Sequence, residues 1–111
     1  MGWEILYYNE DVQKAIDAWP VGFRAYYARI AERIRSFGPN LGMPFTRSIG
    51  QGLFEIRVKG KEGIGRAFFC TILERKIVIL HVYIKKSQKT PAKELAIARK
   101  RMADVQDNWQ K

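Results

Sequence analysis

Cysteine and histidine are almost missing from this chain: its 111 residues contain one of each, Cys70 and His81. A single cysteine excludes an internal disulfide framework. One cysteine with one histidine cannot build an ordinary zinc centre, and neither HExxH nor CxxC occurs. A Ser-His-Asp arrangement would rest on His81 alone, and no GxSxG elbow supports it. The phosphate-cradling GxxxxGK[ST] loop is absent, and Gly63-Ile64-Gly65 lacks both the third glycine and the following helix. Long apolar runs are lacking too. The longest, Ile77 to Ile84, is interrupted by His81 and is far too short to cross a bilayer. Met1-Gly2-Trp3-Glu4 has no basic n-region, so no secretory signal is expected. Internal repeats, low-complexity tracts and linkers are not visible. What remains is the expectation of a soluble, cytoplasmic protein with a single domain over residues 1–111, whose 47% hydrophobic content is enough for one small core.

Acidic residues fall short of basic ones in one part of the chain only. Residues 1–46 carry five basic groups (Lys14, Arg24, Arg29, Arg33, Arg35) and five acidic ones (Glu4, Glu10, Asp11, Asp17, Glu32). Residues 47–111 carry 15 basic and 6 acidic groups, so the whole formal charge of +9 lies there. Such an excess opposes compaction unless it is used, and points to a polyanionic partner: nucleic acid, an acidic protein or both.

The pattern of elements is legible along the chain. Trp3 to Tyr8 reads as a strand of aromatic and branched residues. Asn9 is a good helix cap, with Glu10 and Asp11 where the helix dipole favours anions. Val12, Ala15, Ile16 and Trp19 then form a short amphipathic stripe that Pro20 ends. Pro20 also suits the first position of a second helix, whose stripe is Phe23, Tyr27, Ile30, Ile34 and Phe37. Gly38-Pro39 stops it, and residues 38–52 read as a loop. Phe54, Ile56 and Val58 alternate with Glu55, Arg57 and Lys59, a half-buried strand. Arg66 to Leu73 and Ile77 to Ile84 follow as two further strands of an antiparallel meander. Thr90 caps and Pro91 opens a last helix with the stripe Leu95, Ala98, Met102, Val105 and Trp109. The order β-α-α-β-β-β-α gives an α+β fold, an antiparallel sheet packed by an N-terminal helical hairpin and a C-terminal helix.

The chemistry present is a basic constellation on strands. Glu55 and Arg57 share one face of their strand, Arg66 starts the next, and His81, Tyr83 and Lys85 share a parity on the last. Lys86, Gln88 and Lys89 follow at once. Neighbouring strands bring such side chains within several ångströms, a cation cluster beside an imidazole, a phenol and a carboxylate. It suits binding a phosphodiester and stabilising its extra charge in a transition state. Glu55 and His81 are the candidates for a general base. Each also has a plain structural role open to it: Glu55 as the cross-strand partner of an arginine, His81 as a packed imidazole between Leu80 and Val82. Tyr83 is either core or a surface on which a base stacks. Lys85, Lys86 and Lys89 crowd the start of a helix, where cations oppose the dipole, and that local cost favours a function. Cys70 reads as a small core hydrophobe.

Three stretches carry a family resemblance: Gly52-Leu53-Phe54-Glu55-Ile56-Arg57, Gly65-Arg66-Ala67-Phe68-Phe69, and the run from Ile79 through His81, Tyr83, Lys85, Lys86, Ser87, Gln88, Lys89 and Thr90 to Pro91. They resemble the RelE/ParE toxin superfamily, and within it the HigB-like, phage-derived branch, which reads G-L-[WF]-E-L-R, R-x-x-[FY] and L-L-H-x-F-x-K-K-[ST]-Q-K-T-P. The resemblance covers residues 50–105 by motif and the whole chain by element order. It implies the toxin of a type II toxin–antitoxin pair, a messenger RNA endonuclease acting in the ribosomal A site without metal or cofactor. By position, Arg57 and Arg66 would clamp the scissile phosphate, and Lys85, Lys86 and Lys89 would add charge. Lys59, Lys61, Tyr83, Gln88 and Lys93 would contact RNA. Some relatives use a tyrosine or histidine near the C-terminus, which the last helix here does not offer. The implied partners are a helix-turn-helix, HigA-like antitoxin, the ribosome and messenger RNA, with DNA reached only through the antitoxin complex and no membrane. Two other readings stay open: a ParE-like toxin that inhibits gyrase, and a basic RNA-binding domain without activity.

Overall fold

The aromatic and branched run after Trp3 forms β1 (Glu4–Tyr7) in the computed structural model, which describes residues 2–85 and 91–109. Asn9 then caps α1 (Glu10–Asp17), its side-chain oxygen accepting from the Val12 amide at 2.9 Å. Pro20 precedes α2 (Val21–Phe37) instead of opening it, because its ψ of 149° is extended and only the next residue turns helical. The helix stops at Gly38, whose φ of 90° suits glycine and whose amide donates to Ile34 O at 2.7 Å. Four strands follow: β2 (Thr46–Gly50), β3 (Leu53–Gly60), β4 (Gly63–Ile72) and β5 (Lys76–Lys85). The chain closes with α3 (Ala92–Asn108), for which Pro91 is likewise the residue before the first turn. Thr90, expected as its cap, lies outside the described residues.

The α+β class and the element order stand, with one strand more than the sequence suggests. The stretch expected to be loop contains β2, an edge strand whose only large apolar residue is Ile49. It has no alternating pattern because it takes its place from backbone pairing with β3, Arg47 opposite Glu55, and not from burial of a face. The five strands run β1-β5-β4-β3-β2. β2 to β5 are antiparallel neighbours, while β1 joins the far edge parallel to β5.

The helices cover opposite faces. Val12, Ile16, Trp19, Phe23, Tyr27, Ile30 and Ile34 of the hairpin pack on Ile56, Val58, Ala67, Phe69, Ile77 and Ile79. Ala98, Met102 and Val105 of α3 pack on Leu53, Phe68, Cys70, Val78 and Leu80. Polar contacts hold α3 across the sheet: Arg99 Nη1 donates to Gly50 O at 3.1 Å, Arg101 Nη1 to Leu80 O at 2.8 Å, and Tyr8 OH to Asp104 Oδ2 at 2.7 Å. Burial pushes the Cys70 thiol up to about 11, in keeping with a small core residue. No described helix is long and apolar enough to cross a membrane.

One irregularity decides where the chemistry sits. The β4–β5 register passes from Phe68 opposite His81 to Phe69 opposite Ile79, a bulge that leaves Leu80 extra. With strict alternation His81, Tyr83 and Lys85 would follow Ile77 and Ile79 onto the hairpin face. The bulge reverses the parity and turns them to the α3 side, the side of Glu55 and Arg66.

Candidate functional site

Glu55 is the centre of the polar part of that face. It lies on β3, the second strand in from the β2 edge, and is fully buried. Its Oε1 accepts from Arg47 Nε of β2 at 2.8 Å and from Arg66 Nη1 of β4 at 2.5 Å. Arg57 Nε, two residues along the same strand, is 3.8 Å from the same oxygen. The ladder explains the gathering: Arg47 is directly opposite Glu55, and Arg57 directly opposite Arg66. Arg66 is 2% exposed, the Arg57 side chain 19% and the Arg47 side chain 42%, so the cluster opens toward Arg47.

Lys85, on β5, is also buried. Desolvation holds its amine below the ordinary lysine range, and the charge of Arg66 adds to the effect. The Glu55 carboxylate acts in the other direction, and Arg47 and Arg57 lower it further. Four cations thus surround one carboxylate. Arg57 Nε and Arg66 Nε are buried and have no hydrogen-bond partner among the described residues, nor has Glu55 Oε2. Unmet buried donors are costly, and two on adjacent guanidinium groups make a ready receptor for an anion with several acceptor oxygens. Arg57 Nη1 donates to the Met43 thioether at 3.7 Å.

The sequence-derived candidates divide among three places. Glu55, Arg57, Arg66 and Lys85 come together as expected. Tyr83, opposite Arg66, stands beside them with its ring between Phe68 (centroids 5.9 Å) and His81 (6.2 Å). His81 is farther out, with Phe68 between it and Glu55 in the register. Its Nε2 is 2.9 Å from Glu94 Oε1 of α3, and it lines a crevice with Asp11, Ala15 and Arg101. Lys59, Lys61 in the turn after β3 and Lys93 in the first turn of α3 are exposed; Lys59 follows Arg57 on the same face of β3, in the cross-strand row of Lys85. Lys86, Gln88 and Lys89 lie outside the described residues. Among those residues no cluster of His, Cys, Asp or Glu could hold a metal ion.

Two residues of the site escape a reading of the sequence. Arg47 sits in a glycine- and proline-rich stretch, and only recognition of β2 would have placed it opposite Glu55. Glu94 looks like an ordinary acidic residue of a helix first turn; its tie to His81 depends on the bulge.

Comparison with known proteins bears on the family and the fold. Residues 14–103 match the family described as phage derived protein Gp49-like (DUF891). No curated protein matches the sequence. Among solved structures, the fold is shared by an arginine-to-alanine mutant of the E. coli toxin RelE in the free state. That match has a TM-score of 0.58 and 15% identity, and it covers 92% of this chain and 99% of that one. Since the family match spans residues 14–103, most of the chain, the chain belongs to the phage-derived Gp49-like family, and its fold is that of RelE.

Proposed function

We propose that this chain is the toxin of a toxin–antitoxin pair and acts as a ribosome-dependent messenger RNA endonuclease of the HigB-like kind. The observation that carries the reading is the pair of buried donors, Arg57 Nε and Arg66 Nε, that have no hydrogen-bond partner among the described residues, beside the buried cation Lys85. A scissile phosphate placed there receives hydrogen bonds from both guanidinium groups. The charge that builds on its non-bridging oxygens during attack is met by fixed cations in a site with little water. The substrate's own 2′-hydroxyl attacks the adjacent phosphorus, the bond to the 5′-oxygen breaks, and the products are a cyclic phosphate and a 5′-hydroxyl. The proton lost from the 2′-hydroxyl goes to a base, and the leaving oxygen takes one up. His81, oriented by Glu94, is the group of suitable chemistry on this face. Lys86 and Lys89 add positive charge, and Lys59, Lys61, Gln88 and Lys93 guide the strand. No metal or cofactor takes part. The cognate antitoxin is expected to carry an acidic segment that neutralises the same face.

The test is induced expression of the wild type beside Arg66→Ala, with transcript 5′ ends mapped across messenger RNAs. In-frame 5′-hydroxyl ends and growth arrest with the wild type, both lost in Arg66→Ala, are expected. Loss of a preorganised donor of this kind lowers turnover about 100- to 1000-fold. Arrest without new ends would point to a non-nuclease target such as gyrase, and neither arrest nor ends to an inactive RNA-binding domain.

A further inference from the structure

A carboxylate at the centre of a polyanion site repels the ligand the site is built to attract. Glu55 nevertheless stands there fully buried, with Oε1 engaged by Arg47 Nε at 2.8 Å and Arg66 Nη1 at 2.5 Å and within 3.8 Å of Arg57 Nε. Its place is fixed by the ladder on both sides, since β3 pairs with β2 and with β4. Arginine side chains are long and rich in rotamers, and three of them side by side repel one another. Left alone they would splay toward solvent, Arg47 most of all because 42% of its side chain is exposed. Tied to one rigid oxygen, they share an origin and are held in one fixed arrangement.

We propose that Glu55 is a positioning residue that holds Arg47, Arg57 and Arg66 as one preorganised clamp for the RNA backbone, and that Arg47 is the clamp's third phosphate-contacting arm. The proposal rests on the cleavage reading above and assigns Glu55 a role other than proton transfer: Oε1 is held by two guanidinium hydrogen bonds, and Oε2 is buried. Arg57 and Arg66 then serve the scissile phosphate through their free Nε donors, while Arg47 at the open side meets a flanking phosphate. Simple charge counting and positioning predict opposite outcomes for Glu55→Gln. Removing a negative charge strengthens polyanion binding; releasing the arginines ruins their alignment and lowers turnover.

The experiment compares the wild type, Glu55→Gln, Arg47→Gln and the double variant. Arginine Nε–H resonances of the free protein are recorded first. Arg47 Nε–H is expected to be protected in the wild type and to exchange freely in Glu55→Gln. Binding of a 2′-O-methyl RNA oligonucleotide, which cannot be cut, and cleavage of ribosome-bound messenger RNA are then measured. Glu55→Gln is expected to bind the oligonucleotide at least as tightly as the wild type while kcat falls about 100-fold, the loss that a misplacement near 1 Å produces. Its kcat–pH profile keeps both limbs. Arg47→Gln, a change at an exposed side chain that leaves folding intact, lowers kcat about tenfold, and the double variant is no worse than Glu55→Gln because the residues act as a unit. A kcat within threefold of wild type in Glu55→Gln would overturn the proposal. So would disappearance of one pH limb, which would make Glu55 the base, or additive losses in the double variant. A wild type that cuts nothing, with the Arg47 signal behaving as expected, would refute the cleavage reading on its own.

Discussion

On the side of the sheet that meets α1 and α2, apolar residues run without interruption, Ile56, Val58, Ala67, Phe69, Ile77 and Ile79 against the hairpin. On the α3 side the apolar stretch of Leu53, Phe68, Cys70, Val78 and Leu80 gives way, and Glu55, Arg57, Arg66 and Lys85 continue the same face. The first face is held by burial, which has no direction and accepts many arrangements of similar volume. The second is held by hydrogen bonds and charges whose geometry must be kept, with buried cations that burial alone would expel. The hairpin face can therefore carry the stability of the domain, while the α3 face gives up part of its share to hold cations close together.

The comparison breaks most visibly at Phe23 of α2. Its ring is fully buried and lies so close to Gly60 that a Cβ there would come within 1.6 Å of it. Phe23→Ala leaves a cavity and should cost about 3–5 kcal/mol, read as a lower denaturant midpoint with unchanged m-value. Arg57→Ala, at a partly exposed side chain whose loss leaves Glu55 paired with Arg47 and Arg66, is expected to be the converse case, with activity lost while the hairpin core keeps the chain folded. If the two variants lose stability equally and Phe23→Ala alone loses activity, the division of labour between the faces is wrong.

The hairpin face is also the part most legible from the sequence. Its residues announce themselves by spacing: Phe23, Tyr27, Ile30 and Ile34 are a helical stripe, and Ile56 and Val58 alternate on a strand. The charged face was legible through Glu55, Arg57, Arg66 and Lys85, which their charge on strands and the family motif both single out. Two features hid the remainder. Edge strand β2 buries almost nothing, so Arg47 had no pattern to stand in. The bulge at Leu80 has no mark in the sequence, yet it turns His81 toward α3 and makes Glu94 its partner. Backbone pairing and register, unlike burial, leave little trace in residue type.

The link between His81 and Glu94 sharpens the comparison at the border of the two faces. The side chains are 16% and 18% exposed and 2.9 Å apart. Glu94 also places a negative charge in the first turn of α3, where the dipole favours it. Glu94→Gln keeps the shape and removes the charge. It should lower stability by about 1 kcal/mol, a shift of roughly 4–8 °C in Tm. If His81 transfers the proton, activity falls further than that loss explains, because the ring is no longer held in one orientation. A variant with lowered Tm and full activity at permissive temperature would leave Glu94 only a structural role.

The smallest expected effect concerns Lys85, and its sign follows from linkage. Burial and the neighbouring guanidinium groups hold the folded-state amine below its ordinary 10.5. The unfolded chain therefore binds that proton more tightly than the folded one. Where the two states differ in protonation, below 10.5, stability contributed by this group rises with pH; at neutral pH the charged lysine is a burden on the fold. Lys85→Met removes the burden and keeps the length of the side chain. The variant should be more stable than the wild type by a few degrees in Tm at pH 7, with the advantage fading as pH approaches 10.5, while catalytic activity drops. Thermal melts of the two proteins between pH 7 and 10.5 measure the difference. A methionine variant that is less stable at pH 7, or whose advantage grows with pH, would mean that Lys85 is well solvated by its surroundings, and that the charged face keeps its cations without giving up stability.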